Sequence, residues 1–146
     1  KALTRDTRLL AGGGAIEIEL ARRIESIGEK YEGLEQYSIQ KFAHALETLP
    51  KLLADNAGLK PTEVLSNLYA AHQNGNIRHG IDVSTGALVD SVENNVFDLF
   101  NSKLLAFKLA TNAAATVLKV DQIIMSKPAG GPPVRAPKAQ DEDDGM

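Results

Sequence analysis

Apolar residues recur at helical spacing in four stretches of the chain. In the first stretch they stand at positions i, i+4, i+8 and i+11, directly after a run of three glycines. They are Ile16, Leu20, Ile24 and Ile27. This spacing predicts a helix that ends at Gly28, with Glu19 and Arg23 as a favourable pair on its solvent side. Since the other stretches share the period, the fold class is predicted to be mainly α.

The other three predicted helices differ in how they begin and end. One runs from about 34 to 55 and contains Pro50, which lacks a backbone donor and should kink the helix. Its expected buried residues are Ile39, Phe42, Leu46, Leu49 and Leu53. The next helix is opened by Pro61 and closed at 74–76. The last runs over 100–118, and its expected core stripe is Leu104, Phe107, Ala110, Ala114 and Val117.

Two segments have the character of β-structure. Between Gly80 and Val89, short apolar runs flank the turn residues Ser84-Thr85-Gly86, which predicts a small β-hairpin. Residues 120–125 are apolar and rich in β-branched side chains. We therefore expect a terminal strand there that pairs with something outside this chain.

The two ends of the chain differ in composition and pattern from its middle. From Lys127 onward, prolines, glycines and a run of acidic residues cannot build a packed core. The sequence is therefore divided into a folded domain over 1–126 and a disordered tail over 127–146. At the other end, the absence of an initial Met leads us to expect a segment of a longer polypeptide.

Composition excludes several classes of function. The chain has 146 residues, enough for one domain with a core of its own, and its net charge of −3 disfavours binding to a nucleic-acid backbone. Aromatic residues make up only 5%, so bases would find no stacking platform. Cysteine is absent, which excludes disulfides and thiolate metal sites. No apolar run is long enough to predict a membrane span.

Candidate chemistry begins with the glycine run that precedes the first helix. Free N–H groups at a helix start favour an anion, and missing β-carbons allow close approach. However, the run Gly12 to Gly14 matches neither the Walker A pattern nor the dinucleotide fingerprint, and a plain tight turn explains it equally well. The three histidines lack metal-ligand spacing. The residues alone leave open a nucleotide-binding regulator and a helical interaction module without enzymatic activity.

Four blocks of the sequence, taken in order, resemble the group II chaperonins. The blocks are Gly12 to Ala21, Phe42 to Gly58, Gly80 to Asp90 and Val120 to Ile124. They match the family's order and spacing over residues 1 to about 126, which makes the resemblance more specific than any one motif. Further blocks, such as those at 1–6 and 33–37, are similar to one subunit type of the eukaryotic cytosolic chaperonin.

The resemblance implies a helical equatorial domain, with a small hairpin and a terminal strand, that holds ATP in a cytoplasmic protein. Carried over position by position, Gly13 would approach the nucleotide, and Gly12 and Gly14 would shape the loop around it. The family's equatorial domain also makes most contacts between subunits. The expected partners are therefore other chaperonin subunits in a hetero-oligomeric double ring, together with unfolded clients such as actin and tubulin.

Four further residues receive roles from the same resemblance. Asp82 and Val83 would line the adenine side of the nucleotide. Asp98 would accept hydrogen bonds from the ribose hydroxyls, because two carboxylate oxygens suit two neighbouring hydroxyls. Lys103 would lie nearby.

Two parts of the family's site are missing from this sequence. The Gly-Asp-Gly-Thr-Thr loop that binds phosphate and Mg²⁺ is absent, and so is the aspartate that activates water. Phosphoryl transfer depends on such a metal ion. We therefore expect the ATPase activity to belong to the full-length chaperonin and this chain alone to be inactive, with no catalytic residue and no metal ligand of its own.

Overall fold

The computed structural model describes residues 3–126 and 130–131. The predicted tail over 127–146 lies outside these residues, apart from two glycines. The helices and strands, in chain order, are β1 Leu9–Ala11, α1 Ala15–Gly28, α2 Glu35–Leu46, α3 Thr48–Asn56, α4 Pro61–Gln73, β2 His79–Ile81, β3 Leu88–Asp90, β4 Phe97–Leu99 and α5 Phe100–Leu118. The predicted mainly α fold is confirmed, and none of the helices among these residues is long and apolar enough to cross a membrane.

Helix α1 buries a different face from the one expected. Its fully buried apolar residues are the small or β-branched Ala15, Ile18 and Ala21, whereas Ile27 of the predicted stripe is half-exposed. The helix packs against α2 on one side and against α3, α4 and β2 on the other. Small residues allow this close packing: a β-carbon at Gly28 would lie 3.0 Å from the Ile39 side chain.

The predicted second helix is two helices. Helix α2 ends at Leu46 and α3 begins at Thr48, so the break lies ahead of Pro50 rather than at it. Proline cannot donate to the carbonyl four residues earlier, which is that of Leu46, and its ring collides with that group. The expected buried face is also wrong in part, because Phe42 and Leu49 are both about 40% exposed.

A small core lies where α1, α3, α4 and β2 meet. Its buried members are Ile18, Ala54, Val64, Leu68 and Ile81. Strands β2 and β3 pair antiparallel, which confirms the predicted hairpin. A second antiparallel pair, β1 with β4, joins two segments far apart in the sequence and was not predicted.

Helix α5 has the predicted bounds but not the predicted burial. Its residues include none that is buried, and Val117 of the expected core stripe is 72% exposed. Within the described residues, α5 packs mainly against β4, the strand that leads into it. Residues 120–126 form no strand in this chain, because a strand needs a ladder partner and none of the described segments provides one. Pairing with something outside the chain stays a prediction.

Candidate functional site

The glycine turn packs directly against the backbone of the hairpin. Gly13 and Gly14 have φ angles of 66° and 82°, the left-handed region that other residues rarely adopt. The carbonyl oxygen of Gly13 accepts a hydrogen bond of 2.8 Å from the Ile81 amide. A β-carbon at Gly13 would lie only 3.0 Å from the Ile81 carbonyl oxygen. Close backbone approach therefore explains the glycines, in agreement with the plainer of the two sequence interpretations.

Two residues that the sequence did not single out complete this packing. The buried Ser91 hydroxyl donates to the Gly12 carbonyl at 2.9 Å. Gly80 lies against the same carbonyl, since a β-carbon there would be 2.5 Å from it and 2.5 Å from Ser91 Oγ. The Gly12 amide in turn donates to the Val96 carbonyl at 3.0 Å. The turn is thus held from three directions by main-chain or hydroxyl groups.

The pairing of β1 with β4 brings Asp98 beside the glycine turn. Asp98 stands opposite Leu10, two residues before the turn begins. Its Oδ2 atom lies 3.1 Å from Lys103 Nζ, and Lys103 also forms a salt bridge with Glu17 in the first turn of α1. Strand pairing and one lysine therefore connect the start of α5 to the start of α1.

A cavity of about 300 Å³ opens beside these three charged residues. Its lining residues are Glu17, Leu49, Asp98, Leu99, Ser102, Lys103, Ala106 and Phe107. Glu17 is only 1% exposed, and its Oε2 atom has no hydrogen-bond partner within the described residues. A buried carboxylate oxygen without a donor is costly unless a ligand or water supplies one. Within the cavity, the accessible carboxylate is that of Asp98, which offers acceptor oxygens to a ligand that carries hydroxyl groups.

Lys103 is committed to its two carboxylates. Burial by itself would lower the pKa of Lys103, but the hydrogen bonds and charges of Glu17 and Asp98 outweigh burial and raise it. The ammonium group is therefore charged and fixes the position of Asp98. Its charge is already balanced by two acids, so it does not act as a free cation for a phosphate group.

Asp82 and Val83 lie away from the cavity, at the turn of the hairpin. Asp82 accepts hydrogen bonds from the Ser84 amide at 2.9 Å and from the Ser84 and Thr85 hydroxyls at 2.6 and 2.7 Å. These bonds lower the pKa of Asp82 to about 2. Val83 is 54% exposed. The carboxylate therefore stabilises its own turn, while the Val83 side chain remains available for contact.

The seven predicted site residues fall into three groups in the structure. Gly12, Gly13 and Gly14 form the turn, Asp98 and Lys103 line the cavity, and Asp82 and Val83 occupy the hairpin tip. The backbone of the glycine turn contacts strand β2, which leads to the hairpin tip. The turn also follows β1, whose pairing with β4 brings Asp98 near it. The described residues contain no cluster of three or more histidine and carboxylate side chains that could hold a metal ion.

This chain belongs to the TCP-1/cpn60 chaperonin family, whose sequence pattern it matches over residues 1–128. It is 64% identical to the T-complex protein 1 subunit theta of Caenorhabditis briggsae and 55% identical to that of Homo sapiens, over 99% of this chain in each case. It spans only 26% and 27% of the length of those two relatives.

A solved structure shares the fold. The open-state monomer of a group II chaperonin from Methanococcoides burtonii matches with a TM-score of 0.75 and 38% sequence identity. The match covers 77% of this chain and 28% of that one. The resemblance found in the sequence is thereby confirmed, both for the family and for similarity to one eukaryotic subunit type, theta.

Proposed function

We propose that this chain forms part of the ATP-binding equatorial domain of a cytosolic, theta-type chaperonin subunit. The observation that carries the proposal is the β1–β4 pairing, because it places Asp98 beside the glycine turn. An acceptor for ribose hydroxyls is thereby brought near the turn at which α1 begins. Family membership supports a nucleotide as the ligand.

Each group of residues has a distinct task in this proposal. Asp98, oriented by Lys103, accepts hydrogen bonds from the ribose hydroxyls. The glycine turn, whose missing β-carbons leave room for Val96, Ile81 and Pro50, fixes the start of α1 beside the nucleotide. The exposed Val83 at the hairpin tip contacts the adenine. These residues bind and orient the nucleotide, and none of them is proposed to transfer a proton or hold Mg²⁺.

The phosphate end of the site belongs to other parts of the subunit. Mg²⁺ would neutralise charge on the phosphate oxygens and so support hydrolysis of ATP. The cavity described above is lined by two carboxylates and by one cation that is already paired. That arrangement suits hydroxyl groups and repels phosphates. We propose that hydrolysis, assembly with other subunits into a double ring and the folding of client proteins all require the full-length subunit.

The ribose role can be tested by comparing two nucleotides. In the full-length protein, Asp98→Asn replaces a charged acceptor by an amide, and we expect ATP affinity to fall about tenfold. Affinity for 2′-deoxy-ATP should fall less, because one of the two hydroxyls is already absent. Asp55→Asn, at an exposed position on α3, is the matched control. Equal losses for both nucleotides would place the ribose elsewhere.

A different outcome would favour the second candidate function. The exposed apolar side chains of α5 are also what a helical interaction module would present. If the full-length protein binds ATP with the same affinity before and after Asp98→Asn, this chain does not contribute the ribose contact. The interaction module would then be the better description of this segment.

A further inference from the structure

The imidazole ring of His72 is buried between two acceptor oxygens. The residue is 1% exposed. Its Nδ1 atom lies 3.1 Å from Glu19 Oε2, and its Nε2 atom lies 2.9 Å from the main-chain carbonyl oxygen of His79. A neutral imidazole has one N–H donor and one bare nitrogen, which cannot bond to an acceptor. Both contacts are hydrogen bonds only if both nitrogens carry protons, so the geometry favours an imidazolium.

The charged groups around His72 are consistent with that state. Burial raises the pKa of Glu19, but hydrogen bonds from Arg22, Arg23 and His72 outweigh burial and lower it to about 2. The carboxylate is therefore ionised and cannot donate a proton to the ring. Both arginines bond to Glu19 Oε1, at 2.9 and 2.6 Å, and Arg22 Nε also donates to Oε2 at 3.4 Å, so Oε2 is shared between Arg22 and the nearer His72.

The remaining titratable neighbours lie on the hairpin. His79 contributes its main-chain carbonyl to His72, while the buried Nδ1 of its own ring has no partner within the described residues. Asp90 stands opposite His79 in the β2–β3 ladder and is paired with Arg78 at 2.8 Å. The charge on Asp90 is thus already balanced, and Glu19 is the anion that faces the His72 ring.

The two oxygens that His72 contacts belong to two elements that each adjoin the glycine turn. Glu19 is on α1, the helix that begins directly after the turn. In the other element, the His79 carbonyl immediately precedes Gly80, which packs on the Gly12 carbonyl, and Ile81, whose amide donates to Gly13. The His72 ring therefore connects the helix that follows the turn to the strand that packs on it.

We propose that His72, as a buried imidazolium, is a positioning residue that clamps α1 to β2 and so sets the glycine turn against the hairpin. The clamp itself follows from the geometry, while its effect on ATP rests on the proposed function. Loss of one ring proton would remove the bond to the His79 carbonyl or the bond to Glu19, whose Oε2 atom would keep only the 3.4 Å bond from Arg22 Nε.

The protonation state can be measured without any reference to nucleotide. In the full-length protein, segmental ¹⁵N-histidine labelling of this region leaves three histidines to assign: His44, His72 and His79. At neutral pH, the ¹⁵N spectrum should show His72 with both ring nitrogens protonated. A bare nitrogen on His72 under those conditions would overturn the proposal, whatever the outcome for Asp98.

The functional consequence is tested with His72→Gln, whose amide group cannot donate in two opposite directions. ATP affinity should fall about tenfold, as for loss of one hydrogen bond to a charged group. His44→Gln is the matched control, because His44 bonds to a buried glutamate with the same 3.1 Å geometry but is itself half-exposed.

Further readouts distinguish the clamp from a purely structural role. A residue that only stabilises the fold would lower the melting temperature and leave ATP affinity well below that temperature intact, which would overturn the proposal. If His72→Gln fails to fold, Glu19→Gln provides the second test. Removing that charge should convert His72 to a neutral ring in the ¹⁵N spectrum and weaken the hydrogen-exchange protection of the Ile81 amide. An unchanged spectrum and unchanged protection would count against the clamp.

Discussion

Gly80→Ala tests whether the glycine turn depends on direct contact with the hairpin backbone. The added β-carbon would lie 2.5 Å from the Gly12 carbonyl oxygen, 2.5 Å from Ser91 Oγ and 3.0 Å from the Gly13 carbonyl oxygen. Two of these three atoms belong to the main chain, which cannot rotate away as a side chain can. Relief of the overlap therefore requires the strand and the turn to separate.

The stability lost in Gly80→Ala can be estimated from the contacts that the substitution would break. Separation lengthens the 2.8 Å bond from Ile81 to Gly13 and the 2.9 Å bond from Ser91 to Gly12. Each such bond contributes about 1 kcal/mol, and overpacking a filled site costs about 1–3 kcal/mol. A total of about 3 kcal/mol corresponds to roughly a hundredfold loss of hydrogen-exchange protection.

The assay is hydrogen exchange in the full-length protein, measured on peptides that cover the turn and strand β2. Gly75→Ala is the control, because a β-carbon there meets nothing within 4 Å although its φ is 91°. That substitution should cost about 1 kcal/mol at its own turn and leave the peptides around the glycine turn unchanged. If Gly80→Ala exchanges like the unaltered protein, the contact does not hold the turn and our reasoning is wrong.

Two predictions concern buried carboxylates. Lys103→Met leaves Glu17 buried without its cation and should lower the free energy of unfolding by about 3 kcal/mol, measured by urea titration. Adding Glu17→Gln should restore most of that free energy. If the double variant shows no recovery, the pairing of Lys103 with Glu17 is contradicted. Because the folded-state pKa of Glu19 is lowered from 4.5 to about 2, its stabilisation is complete above about pH 4.5 and is lost as pH falls towards 2. We expect about 2 kcal/mol of this acid dependence to vanish in Glu19→Gln, after a discount for the exposed Arg23. The exposed Glu63→Gln should retain the full dependence, and identical acid titrations of both variants would refute the assignment.

Local signals predicted the helices well. Proline at the start of α4, glycine at the end of α1 and the bounds of α5 follow from features that act within a few residues. The break before Pro50 is local too, but its position depends on the carbonyl four residues upstream. The strand pair β1–β4 could not be predicted, because three-residue strands carry too little pattern and their partners are about 90 residues apart.

In the candidate site too, local features were predicted from the sequence and contacts between distant residues were not. Resemblance to the family gave the glycines and Asp98 as candidates, and the pairing of β1 with β4 brings Asp98 near the turn. Sequence reasoning placed Glu19 in solvent with Arg23, since an i, i+4 pair is normally exposed, and so missed its contact with His72, 53 residues away. Glu17 had no distinguishing signal. Gly80 did have one, because a glycine at a strand position often marks the close approach of another backbone.

Helix α5 both lines the cavity and carries exposed apolar side chains. The residues Ser102, Ala106 and Phe107 line the cavity from the first half of α5. The exposed Leu105 and Leu109 continue along the same helix. Water therefore reaches both the cavity and the apolar side chains, and a polypeptide that covers α5 also restricts solvent access to Asp98. Hydrogen bonds and charge interactions strengthen when water is excluded. We therefore expect the affinity for nucleotide to depend on burial of α5 as well as on the residues that would contact the ligand.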